Sequence, residues 1–209
     1  VKKLEIHVIS DGKQTVCELT KRIVMIHDEV DYIHIREKTK SVSEILEIVS
    51  ILLNNGVPKS KLVINDRLDV ALLHEIPNVH LPGHSFPIEK VRRMNPDLRI
   101  GRSVHSLQEA IECEKAGADY LLFGHVFPTN SKPNLAPRGV QQVAGICQSV
   151  RIPVIAIGGI IPNNIPKLSG MNLSGIAVMS YVIASDNPKN ALQELRLSLV
   201  EVRNRENTV

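Results

Sequence analysis

The chain is expected to be a single-domain α/β protein, a closed (β/α)8 TIM barrel spanning residues 1–209. Short apolar, β-branched runs alternate with longer segments of helical period, and both kinds can be counted to eight. Polar residues then gather just after the runs that read as strands, where such barrels place their reactive groups. No Gly/Ser linker, charge block or low-complexity stretch divides the sequence.

Strand one is read over residues 4–10 and strand two over 32–36. Alternation along strand two puts Ile33 and Ile35 on the face that meets helices and turns His34 and Arg36 into the barrel. An arginine buried there needs an anion, from a ligand or a nearby carboxylate. Residues 41–55 set Ile45, Ile48, Val49 and Leu52 on one helical face, with Gly56 to stop the helix and Pro58 to prevent its continuation. Strand three falls at 62–65, a short third helix at 68–74, strand four at 79–81 and strand five at 99–103. Ser106 opens the next helix with Glu109 three residues on, a capping box, and Ala116-Gly117 closes it. Strands six, seven and eight follow at 120–124, 154–158 and 176–179, and a seventh helix near 163–168 is disturbed by Pro162 and Pro166.

Composition excludes several classes of function. With 43% hydrophobic and 22% charged residues the chain can bury a sizeable core, so disorder does not fit. The net charge of +3 comes from 25 basic residues scattered among 22 acidic ones, without a stripe or tail for nucleic acid. Aromatics are 3% and tryptophan is absent, which removes base-stacking platforms. Cys17, Cys113 and Cys147 are odd in number, widely spaced and set in helical patterns, unlike a disulfide framework or zinc site, and point to buried thiols in a reducing cytoplasm. The first apolar stretch, broken by Glu5, His7 and Asp11, is too short for a signal peptide, and no long apolar run suits a membrane span.

In a barrel, strand two would deliver Arg36-Glu37-Lys38 to the mouth, strand three Asn65-Asp66-Arg67 and strand five Ser103-Val104-His105. Strand six would deliver His125, strand seven Gly158-Gly159, and strand eight Val178-Met179-Ser180. The last two ends occupy the usual place of a phosphate site built from backbone donors, although paired glycines would also serve a tight turn alone. His125, between Gly124 and a bulky run, has a reference pKa of about 6.5 and could accept and return a proton near neutral pH, or be only a satisfied strand-end histidine. His34 and His105 suit orienting or lining roles. His80 and His84 are four apart, but Pro82-Gly83 intervenes and no third ligand is evident, so no metal site is expected; Asp66, next to Asn65, is a poor cage for magnesium unless substrate phosphates complete it. His7, His27 and His74 belong to no constellation and are read as structural. No Ser-His-Asp arrangement, Walker loop or dinucleotide fingerprint can be placed.

Six motifs in order carry a family resemblance: His34-Ile35-Arg36-Glu37-Lys38, Asn65-Asp66-Arg67, Ile100-Gly101-Arg102-Ser103-Val104-His105, Gly124 through Lys132, Pro153 through Gly159, and Gly175 through Ser180. The chain resembles the thiamine phosphate synthase superfamily from end to end. That superfamily contains magnesium-dependent synthases, which join a pyrimidine diphosphate to a thiazole phosphate, and thiazole tautomerases, which keep the barrel without that activity. A synthase is expected to have glutamine at His34, glutamine and then a magnesium-binding aspartate in place of the Pro82-Gly83-His84-Ser85 stretch, and proline at His125. The three departures resemble the tautomerase branch.

The resemblance implies isomerisation of a carboxylated dihydrothiazole phosphate, the product of thiazole synthase, to the aromatic carboxythiazole phosphate, with neither cofactor nor metal. His125 would carry the proton, Arg36 and Lys38 would attract the carboxylate, and Gly158, Gly159, Val178 and Ser180 would hold the phosphate. Ser103, His105 and Lys132 would contact the ligand, with His34, Asn65 and Asp66 completing the pocket. The expected partner is that small phosphorylated thiazole carboxylate, with neither nucleic acid nor membrane; a homo-oligomer stays open. The alternatives are a functioning thiamine phosphate synthase and a non-catalytic, ligand-binding barrel.

Overall fold

The computed structural model describes residues 3–206, in which eight parallel strands close into a barrel in chain order, β1 pairing with both β2 and β8. The strands are β1 (Glu5–Ile9), β2 (Tyr32–Ile35), β3 (Leu62–Asn65), β4 (Asn78–Leu81), β5 (Arg99–Val104), β6 (Tyr120–Gly124), β7 (Val154–Ile157) and β8 (Gly175–Val178). Every expected strand is present, with ends that differ by one residue or not at all.

The helices are α1 (Val16–Ile26), α2 (Val42–Asn54), α3 (Leu68–Leu73), α4 (Ile88–Met94), α5 (Leu107–Lys115), α6 (Gly139–Ser149), α7 (Ser180–Ile183) and α8 (Pro188–Glu206). Helix α2 buries the four aliphatic residues of its predicted face, and Ser41 and Glu44 form a complete capping box at its start. Thr15 and Glu18 do the same for α1. The box expected at α5 is only half formed. Ser106 accepts the Glu109 N–H at 3.2 Å, but the Glu109 carboxylate reaches one residue further back and takes the His105 N–H at 2.6 Å.

The seventh helix is corrected to a 3₁₀ segment, Pro162–Leu168, because Pro166 lies inside it and lacks an N–H for α-helical bonding. Four-residue α7, between β8 and α8, was not anticipated. The cysteine expectation also needs correcting: Cys147 is buried, Cys113 half-buried and Cys17 exposed, since α1 packs Leu19, Thr20, Ile23 and Ile26 inward.

The main core lies between strands and helices, where Ile33 and Ile35 pack as alternation predicts. Inside the barrel the filling differs by side. Ile9, Tyr120, Leu122, Ile155 and Ala177 form an apolar cluster. Against Tyr120 stand His7, His34 and His80, all sealed from solvent, with ring centroids 5.2 and 5.5 Å apart along the series. Below them the Arg99 guanidinium lies against the rings of Tyr32 and Tyr120, 4.3 and 4.1 Å from their centroids. Gly101 leaves room for Tyr120, since a Cβ there would fall 2.0 Å from the tyrosine ring. Among the described residues no helix is long and apolar enough to cross a membrane.

Burial pulls the imidazoles of His7, His34 and His80 below the ordinary histidine range, His80 to about 3, and neighbouring imidazoles or guanidiniums push in the same direction. In the unfolded chain these groups titrate near the ordinary value of about 6.5. Below that pH the unfolded state takes up protons that the folded state refuses, so stability is full above it and declines beneath it, by up to about 1.4 kcal/mol per histidine per pH unit. Urea unfolding is expected to show a lower midpoint at about pH 5.5 than at about pH 7.5, and a level or rising midpoint would contradict three neutral buried rings.

Candidate active site

The C-terminal ends of the strands surround a cavity of about 840 Å³. It is lined by Arg36 and Lys38 after β2, Asn65 and Asp66 at the end of β3, and Ser103 and His105 at the end of β5. His125 and Lys132 line it from the β6–α6 loop, Gly158 and Gly159 from the end of β7, and Val178 and Ser180 from the end of β8. His34 is the exception among the expected site residues: it lies one layer below, sealed inside the barrel, because a strand residue this far from the mouth is roofed by the side chains above it.

His125 is 6% exposed and belongs to the cavity wall. Its Nε2 lies 3.2 Å from the Leu135 carbonyl. A carbonyl only accepts, so that contact places the ring proton on Nε2 and leaves Nδ1 with a free lone pair. The loop that supplies the carbonyl is anchored at its ends, by Arg138 N–H to His125 O at 2.9 Å and Gly139 N–H to Val126 O at 3.1 Å. The Gly124–His125 peptide is cis. His105 is fixed in the other tautomer: Nδ1 donates to Gly124 O at 2.7 Å, and Arg138 Nε donates to the same oxygen at 3.2 Å. Each of the two imidazoles beside Gly124 thus commits one nitrogen to a carbonyl, so that in a neutral ring the acceptor is the other one.

The cations around the mouth are largely unneutralised. The side chains of Arg36, Lys38 and Lys132 make no hydrogen bond or ion pair among the described residues. The Arg36 backbone N–H donates to Ser10 Oγ at 2.8 Å. Lys132 has its pKa pulled down by desolvation and by the charges of Arg138, Arg36 and Lys38. Such a group of like charges calls for an anion. Arg67 also lines the cavity but is paired with Asp69.

A second electropositive feature is built from backbone. Gly158 and Gly159 have φ of +103° and +65°. Their carbonyls are occupied, Gly158 O by the Phe127 N–H at 3.0 Å and Gly159 O by Asn164 Nδ2 at 2.7 Å. Neither glycine N–H, nor that of Ser180, has a protein acceptor among the described residues. Unpaired N–H groups in a glycine turn beside a cavity form the concavity that anions occupy.

The acidic residues are already engaged. Asp66, at φ 62°, puts its Oδ2 3.6 Å from His84 Nε2. Glu37 is buried with its Oε2 2.8 Å from Lys40 Nζ, but the lysine aims its hydrogen bond at Gln14 O, 2.7 Å away, so charge rather than an aligned hydrogen bond holds the carboxylate. Among the described residues no three His, Cys, Asp or Glu side chains converge as metal ligands do.

Several contributors were not foreseen. Glu37 was named only as part of a motif, although its spacing to Lys40 is that of a local ion pair. The Leu135 carbonyl and Arg138 come from an irregular loop whose path has no sequence signal. His7, read as having no constellation, belongs to one: its Nδ1 is 2.9 Å from His34 Nε2.

These features define a (β/α)8 barrel with an electropositive mouth and positioned imidazoles. The model of the family described as thiamine monophosphate synthase matches residues 6–182, and the chain belongs to that family of thiamine-biosynthesis enzymes. The thiamine-phosphate synthase of Pyrococcus furiosus is 37% identical over 205 residues, covering 96% of this chain and 97% of the relative. That of Pyrococcus abyssi is 36% identical, with the same coverage. The solved structure of thiamine phosphate pyrophosphorylase from Pyrococcus furiosus superposes with a TM-score of 0.80 at 34% identity, covering 96% of this chain and 98% of the other. A 3-hexulose-6-phosphate synthase structure, at 14% identity and a TM-score of 0.74, shares the fold.

Replacing Gly158 with alanine would set a methyl carbon 2.2 Å from His125 Cβ and hold a non-glycine residue at φ +103°. The expected result is a loss of about 1–3 kcal/mol in urea unfolding from overpacking, together with weaker binding of inorganic phosphate by calorimetry.

Proposed function

We propose that this protein is a thiazole tautomerase, isomerising the carboxylated dihydrothiazole phosphate made by thiazole synthase to the aromatic 2-(2-carboxy-4-methylthiazol-5-yl)ethyl phosphate. The observation that carries this reading is the His125 ring in the cavity wall, whose Nε2 is held by the Leu135 carbonyl so that Nδ1 is the nitrogen left to take a proton. The two anionic groups of such a ligand suit the two electropositive features of the mouth: its phosphate the free N–H groups of Gly158, Gly159 and Ser180, its carboxylate the unpaired side chains of Arg36 and Lys38.

Nδ1 takes the proton from the ring carbon bearing the carboxylate. The electron pair of that C–H bond enters the ring, the exocyclic double bond shifts inward, and the exocyclic carbon accepts a proton. The His125 imidazolium formed in the first step keeps its Nε2–H on the Leu135 carbonyl, a hydrogen bond that strengthens with the charge. It then returns its proton to the exocyclic carbon, leaving an aromatic ring and a neutral imidazole. No electron acceptor is consumed.

The comparisons favour a second reading, thiamine-phosphate synthase, since relatives 36–37% identical over nearly the whole chain carry that name. Arg36, Lys38, Asn65 and Asp66 agree with that pattern. The residues present fit its magnesium ion poorly: one carboxylate, Asp66, faces His84, and residues 82–85 add no second one.

His125→Asn is expected to lower kcat by about 10²–10⁴-fold, the usual worth of a positioned proton-transfer group, while thermal melting and phosphate affinity stay near those of the parent. The rise in ultraviolet absorbance as the aromatic product forms measures it, and undiminished turnover would place the proton on another group. Sustained thiamine phosphate formation from pyrimidine diphosphate, thiazole phosphate and magnesium would decide for the synthase. Ligand binding with no product above the uncatalysed rate would decide for a non-catalytic barrel.

A further inference from the structure

A chain of polar side chains runs through the barrel from its N-terminal end to the mouth. Glu5 Oε2 lies 3.1 Å from His7 Nε2, His7 Nδ1 lies 2.9 Å from His34 Nε2, and His34 Nδ1 lies 3.1 Å from Asn65 Oδ1. Both imidazoles are fully buried, and Asn65 lines the cavity. We infer that Glu5, at the far end of the barrel, is a positioning residue for the mouth: it fixes the direction of every hydrogen bond in this chain and so turns the carbonyl oxygen of Asn65 toward the ligand.

The inference follows from counting protons. A carboxylate only accepts, and a neutral imidazole donates from one nitrogen and accepts at the other. Glu5 has the Arg99 guanidinium 3.9 Å away, which favours its charged form. His7 must therefore donate from Nε2 to Glu5, and its Nδ1 must accept. His34 must in turn donate from Nε2 to His7, and its own Nδ1 must accept. The group it faces has to be a donor, which the Asn65 carboxamide supplies from Nδ2.

With Oδ1 of Asn65 in that place, the order reverses: His34 donates from Nδ1, His7 donates from Nδ1, and a lone pair of His7 meets the carboxylate. Only an additional buried proton would relieve that contact, and burial opposes it. A half-turn of the carboxamide removes the conflict without one, since oxygen and nitrogen exchange places. Asn65 then presents an acceptor to the mouth. Such a group suits the cations there and repels ligand anions, so phosphate and carboxylate are left to the glycine turn and to Arg36 and Lys38.

The direction of the chain is independent of the tautomerase reading, and so is its test. Long-range proton–nitrogen NMR on the labelled full chain near neutral pH is expected to show His7 and His34 as neutral Nε2–H tautomers, with one Asn65 carboxamide proton protected from exchange. An Nδ1–H tautomer or an imidazolium at either ring would overturn the inference. Glu5→Gln, whose end group can donate or accept, should leave the two tautomers mixed and speed exchange of the Asn65 proton at least about tenfold, in line with a lost directional hydrogen bond. Unchanged tautomers and exchange in that variant would also overturn it. Should Glu5→Gln fail to fold, Asn65→Asp sets acceptors at both ends and is expected to produce an imidazolium at His7 or His34; two neutral rings there would count against the inference.

Discussion

The return of β8 to β1 is the constraint on which the remaining architecture rests. Until that seam closes, no common mouth exists, because the ends of β2 and β7 meet across a cavity only when the sheet has no edges. The closing register, Glu5 beside Gly175 through Val8 beside Val178, places backbone against backbone. A Cβ on Gly175 would come within 2.3 Å of the Glu5 carbonyl, so absence of a side chain is part of the seam. Closure also carries Glu5 to the axis, where it can begin the polar chain that ends at Asn65.

Above this frame the mouth combines unneutralised cations, free backbone donors and imidazoles whose acceptor nitrogens are set by carbonyls. Each by itself is ordinary. Together they suit the proposed ligand, a compact molecule with two separated anionic groups and a proton to move. Of the acidic side chains nearby, Glu37 contributes little free negative charge, since it sits against Lys40. In the proposed reaction the chemistry lies with nitrogen rather than with carboxylate oxygen.

The barrel was legible because its signals are local: alternation in Ile33 to Arg36, the capping residue Ser41, the terminating Gly56 and Gly117. Placement of the site followed from the fold, since strand ends converge whatever their sequence. What escaped was set by distant contacts. Whether His7 meets His34 depends on the offset between β1 and β2, which alternation within either strand does not specify. The tautomer of His125 depends on where an irregular loop brings the Leu135 carbonyl. Pro166 was read correctly as a disturbance, but the 3₁₀ geometry that resolves it needed the packing of its neighbours. The proposed choice between two activities within one family rests on local departures, His34, the stretch from Pro82 to Ser85 and His125, and not on overall similarity.

Gly101 and Tyr120 share one volume. The phenol ring occupies the space that any larger residue on the adjoining strand would claim, so the two positions do not vary independently. A descendant could acquire a side chain at 101 only after the aromatic ring at 120 had been traded for something smaller, and the reverse order would strand it with a split interior. The interior of this barrel thus prescribes a sequence of changes as well as a set of residues.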